Sequence, residues 1–191
     1  MMNMMQRQTA IEATPASATR YDNVTIALHW AMAGLVVAQF LLAEFWGFFP
    51  RPEHHLMIVT HMSLGLILTA VLALRFIWRA KFGRRLPPAG VGVLDRVAKV
   101  MHHTLYMLLV AEIPLGFLTR WTDNQALSFF GLLIPSPFGH FSRTTGWVVD
   151  QIHDYAAWTI IILAAIHAAA ALFHHYLWKD GVLRRMLPLR V

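Results

Sequence analysis

The chain contains no cysteine in its 191 residues. That excludes disulfides, thiolate zinc sites, iron–sulfur clusters and cofactor attachment through a C-x-x-C-H motif. Charge is scarce too. Asp, Glu, Lys and Arg make up 14% of the chain, where a soluble domain carries about 25%. The shortfall is uneven, because long apolar runs alternate with short charged segments. With 57% hydrophobic residues and a mean hydropathy of +0.50, this is the pattern of a protein that crosses the membrane several times. The net charge is +6. In such a chain the basic residues report topology first, so the expected surroundings are a lipid bilayer and no nucleic acid.

Four apolar segments are long enough to span about 30 Å of hydrocarbon at 1.5 Å per residue. They cover about residues 24–46, 56–78, 97–118 and 148–178. Pro50, Arg51 and Pro52 end the first, and Pro114 marks a kink in the third. Residues 119–147 form the longest connection and have room for a short interfacial helix. Residues 1–20 lack a sustained apolar stretch and read as a disordered tail. Residues 21–191 read as one all-α domain, an integral membrane four-helix bundle.

Counting Lys and Arg by loop orients the bundle. With four spans, thirteen fall on the side that carries both termini, and Arg51, Arg120 and Arg143 alone fall on the other. Both termini are therefore expected in the cytoplasm, with the three-arginine side facing the periplasm of a bacterial inner membrane.

What the chain has in quantity is histidine, eleven in all. Ionisable side chains inside a membrane are costly and mark function. His153 and His167 are fourteen residues apart, nearly four helical turns, so one helix face carries both, about 21 Å apart along the axis. His61 enters the second span at the depth of His153. His29 lies in the first span at the depth of His167. Two imidazole pairs at two depths suit bis-histidine ligation of two haems in the core of a four-helix bundle. Iron with both axial positions filled does not bind substrate, so electron transfer across the bilayer is the expected function. His102 and His103, at the cytoplasmic start of the third span, are alternative ligands to His29. His54 and His55 read as solvated residues of the periplasmic turn. Glu112 reads as a neutral acid bonded to a carbonyl freed by the Pro114 kink, with proton carriage the alternative. A zinc or copper transporter would gather its ligands at one depth, unlike this pattern.

Leu28-His29-Trp30, the turn from Gly47 to Arg51, His61 with Gly65, and the closing run from His167 to Asp180 resemble the bacterial cytochrome b561 family. The resemblance covers about residues 20–188. It implies a dihaem inner-membrane protein with two haem b groups. His61 and His153 would hold the periplasmic one, and His29 and His167 the cytoplasmic one. One branch is a superoxide oxidase, a superoxide:ubiquinone oxidoreductase that takes electrons from periplasmic superoxide. The resemblance places the ubiquinone near the cytoplasmic end of the last span, at His174, His175 and Lys179. Arg51 and His54 are the candidates for steering the superoxide anion. The competing expectation is a membrane-anchor electron carrier serving a dehydrogenase, a hydrogenase or a periplasmic electron-donor protein.

Overall fold

The computed structural model describes residues 20–88 and 92–188, so the expected tail, apart from Arg20, lies outside the described residues. Four long helices dominate: α1 (Asn23–Phe45), α2 (Arg51–Lys81), α3 (Val93–Thr122) and α4 (Arg143–Phe173). A 3₁₀ turn (Trp46–Phe48) extends α1, and a π-helical turn (His174–Trp178) extends α4. All four helices are long and apolar enough to cross a membrane. Most of their side chains face outward, as lipid rather than water requires.

The helix starts lie earlier than the apolar runs, because capping chemistry is polar. α2 begins at Arg51, with Pro52 in its first turn, where a missing N–H costs nothing. His54 and His55 therefore sit on helix, not on the turn expected for them. Asp22 caps α1, accepting from the Thr25 N–H at 2.8 Å and the Thr25 hydroxyl at 2.7 Å. The same carboxylate accepts from Trp78 Nε1 at 2.9 Å and from the Arg84 N–H at 3.0 Å. One residue thus ties the start of α1 to the end of α2. Burial pushes its pKa up, but these hydrogen bonds outweigh that and hold it below the usual carboxylate range. Ser142 caps α4 in the same way through the Thr145 N–H.

The α3–α4 connection holds a β-hairpin, not the interfacial helix that its length had suggested. Strands β1 (Leu127–Phe129) and β2 (Leu132–Ile134) pair antiparallel around Phe130 and Gly131. Both turn residues have positive φ, 47° and 95°, as a two-residue hairpin turn needs. The hairpin docks on α2, where the Phe130 N–H donates to Ser63 Oγ at 2.8 Å.

α1 packs chiefly on α2, and α3 chiefly on α4. These two helical hairpins meet each other over far less surface. Between them, at mid-depth, Met32, Leu68, Leu72, Leu109 and Ile160 form a small buried cluster. Ile160 is seven residues from His153 and seven from His167, so this plug lies midway between the two histidine levels.

Candidate functional site

Each expected histidine pair reaches across the gap between the two helical hairpins. The rings of His61 on α2 and His153 on α4 are 6.4 Å apart, centre to centre, and inclined at 85°. Those of His29 on α1 and His167 on α4 are also 6.4 Å apart, inclined at 76°. An iron about 2 Å from each ligating nitrogen, with each nitrogen about 1 Å from its ring centre, separates two imidazole centres by about 6 Å. Both pairs have the spacing that axial ligation of one iron requires. Among the described residues no group of three or more His, Cys, Asp or Glu gathers around a common point. Each pair offers two ligands only, which suits a macrocycle that brings its own four equatorial nitrogens.

The surroundings orient the rings. His61 Nδ1 lies 3.1 Å from the Gln39 carbonyl, which only accepts, so that nitrogen carries the proton and Nε2 is left free. His153 Nδ1 lies 3.0 Å from Glu112 Oε1. The angle there falls short of hydrogen-bond geometry, and neither His153 Nδ1 nor Glu112 Oε2 has another partner. Glu112 therefore faces a histidine, not the kink carbonyl first assigned to it. Gly116, one turn further along α3, lets that backbone pass the same ring: a Cβ there would meet His153 Cε1 at 3.5 Å.

At the other level His102 approaches His167 more closely than His29 does, with 5.1 Å between ring centres. That is about 1 Å less than an intervening iron requires. His103 turns outward, its Nδ1 2.6 Å from the Lys99 carbonyl. Arg75, near the C-terminal end of the second span, is 7% exposed and lies inside the bundle. Its Nε donates to the Tyr106 hydroxyl at 2.7 Å and one terminal nitrogen to the Thr25 carbonyl at 3.3 Å. The other terminal nitrogen sits 3.5 Å from His29 Nδ1. A sequence signal for this existed, since Arg75 follows His61 by fourteen residues, the same interval that separates His153 from His167.

The remaining expected residues sit at the two ends. Arg51 is exposed and His54 half-buried, its ring stacked 6.3 Å from that of Trp46. Trp46 also meets His61, at 5.4 Å, and so connects the α2 entry to the first histidine pair. At the far end, His174 pairs with Asp180, a partner that sequence reasoning had not singled out. Burial pushes the Asp180 carboxyl up, but bonds from His174 and the Val182 N–H leave it below the ordinary range. His175 is half-buried and Lys179 exposed, in a left-handed conformation that ends the π-helical turn.

The family model for prokaryotic cytochrome b561 matches residues 20–189. The chain belongs to the prokaryotic cytochrome b561 family. Cytochrome b561 homolog 1 of Escherichia coli K12 is similar, 31% identical over 90% of this chain and 98% of that one. The probable superoxide oxidase CybB of Yersinia pestis is 27% identical over 88% of this chain and 96% of its own. Cytochrome b562 of Cereibacter sphaeroides is 30% identical over 89% and 96%. Membership makes this a membrane electron-transfer protein of a haem b-binding family. The four helices, long and apolar enough to cross a membrane, suit such a role.

Proposed function

We propose that the chain binds two b haems, one between His61 and His153 and one between His29 and His167. Through them it carries electrons from periplasmic superoxide to ubiquinone. The observation that carries the reading is the pair of 6.4 Å histidine separations at opposite ends of the gap between the helical hairpins. The histidine pairs would hold each haem, and when bound it would supply one-electron redox chemistry. Two superoxide anions give one electron each and leave as O₂, and one ubiquinone takes two electrons and two protons.

The chain's residues do the rest. The Gln39 carbonyl fixes the tautomer of His61. The apolar cluster around Leu72 and Ile160 keeps water from the mid-plane. Arg51 and His54 lie at the end where superoxide would arrive, and His174, His175 and Lys179 at the end assigned to the quinone. The excess of Lys and Arg at that second end supports cytoplasmic termini in a bacterial inner membrane.

A second reading keeps both haems but replaces superoxide with a periplasmic electron-donor protein, or makes the chain the membrane anchor of a dehydrogenase or hydrogenase. It draws on the relatives' names, since the Escherichia coli homologue and the Cereibacter protein are named only as cytochromes. The test is the visible spectrum of purified, oxidised protein before and just after a superoxide pulse, without ubiquinone. The expected result is rapid appearance of sharp reduced b-type bands. An oxidised haem spectrum left unchanged by the pulse would favour the protein-donor reading, and absence of haem absorbance would overturn both.

A further inference from the structure

A charged side chain stands at each histidine pair, half-buried and acidic at one, buried and basic at the other. At His61–His153 it is Glu112, whose Oε1 is 3.0 Å from His153 Nδ1. Both the facing nitrogen and the second carboxylate oxygen lack other partners. Asp150 reinforces the negative side, although Arg120 lies in range of it. At His29–His167 the charge is Arg75, which approaches His29 Nδ1 at 3.5 Å. Its nitrogens are taken up by neutral oxygens of Tyr106 and Thr25, and no carboxylate among the described residues lies within 4.0 Å of it. Arg79 adds to the positive side near His102. A cation inside a membrane bundle without a counter-carboxylate is costly, and such a group marks a functional site.

We propose that Glu112 and Arg75 set the direction of electron flow by biasing the two sites oppositely. The inference rests on the dihaem reading. A histidine that ligates through Nε2 carries its proton on Nδ1, so His153 would turn that positive N–H edge toward the Glu112 oxygen 3.0 Å away, a charge contact without hydrogen-bond alignment. A nearby negative charge favours the oxidised, more positive iron and lowers the midpoint potential there. Arg75 does the reverse beside His29, favouring the reduced iron and raising the potential. Oxidation of the first site and reduction of the second moves one electron with nothing left over. The electron runs toward the arginine, from the end bearing Arg51 to the end bearing His174. Two equal sites would leave it shared. Each is an outer charge acting through a ligand or its surroundings, hence a positioning residue and not a catalytic one.

The test is a redox titration of the holo-protein in detergent, following each haem by its own low-spin paramagnetic resonance signal. Glu112→Gln is expected to raise one midpoint, and Arg75→Gln to lower the other. Each shift corresponds to a tenfold or greater change in that site's oxidised-to-reduced ratio, or about 59 mV for one electron. Glu112→Asp withdraws the charge by one methylene and should raise the same midpoint by less. Arg75→Lys keeps the charge and should restore most of the wild-type value. If either glutamine variant fails to assemble, these conservative variants decide alone. Wild-type midpoints in the charge-removing variants at full haem content would overturn the proposal, as would shifts of one haem only or shifts of the same sign. Two haems with unmoved midpoints would leave the dihaem reading standing and remove this inference. A wild-type protein without haem would remove both.

Discussion

His167 is the residue on which two candidate pairings converge, with His29 at 6.4 Å and His102 at 5.1 Å. Distance separates the two, because an iron and its two nitrogen bonds fill only the longer gap. His167→Ala should cost one haem and about half the b-type absorbance, a loss of axial ligation that no neighbour repairs. His102→Ala should leave the haem content at its wild-type value. Haem quantified per protein checks both, and equal loss in the two variants would make His102 the partner. The sequence anticipated which histidines come together, since the intervals between histidines on a helix translate directly into depth and face. It favours His29 over His102 and His103 without excluding them. That choice turns on about 1 Å between helices of different hairpins, which no periodicity encodes. Glu112 was visible as an intramembrane acid, but its partner was not, for the same reason.

The helices themselves were legible because a run of about 20 apolar residues has little choice in a bilayer. Their starts were not, since α2, α3 and α4 begin in polar segments that a search for apolar runs discards. The β-hairpin was illegible as well, because three-residue strands are too short to show alternation. The cap of α1 shows what such polar starts contribute. Asp22→Ala removes four acceptor contacts and should cost about 1–2 kcal/mol. For a chain of this size, thermal unfolding followed by circular dichroism should then drop by about 2–4 °C per kcal/mol. The effect has a pH signature. The folded-state pKa of Asp22 lies below its unfolded value, so the stabilisation is fully present above the ordinary carboxylate pKa of about 4. It is lost as pH falls below that value toward the lower folded one. The wild-type and Asp22→Ala unfolding temperatures should therefore converge in acid. A constant gap from neutral pH down to strongly acidic conditions would mean that the cap acts without its charge.

At the scale of the whole molecule, charge is distributed along the direction of electron flow that we propose. The end that receives superoxide in the proposed function has three arginines, Arg51, Arg120 and Arg143. Glu53, Asp123, Asp150 and Asp154 share that end, so net charge alone does not draw in an anion, and placement must do so. Arg51 is the arginine placed to act: it is exposed, stands in the first turn of α2, and lies one turn ahead of His54, whose ring contacts Trp46 beside His61. A charge that steers an incoming anion works through the long-range field. Its effect therefore scales with the screening length, about 30 Å at 0.01 M ionic strength and about 3 Å at 1 M. Arg51→Gln should slow superoxide-driven haem reduction several-fold at low salt and converge on the wild-type rate at high salt. Stopped-flow reduction at several salt concentrations measures this directly. A contact role for Arg51 at the point of electron entry would instead give a loss that salt leaves unchanged, because a group touching the anion is not screened from it. In the proposed function, salt dependence thus tells whether this face gathers superoxide from a distance or meets it only on contact.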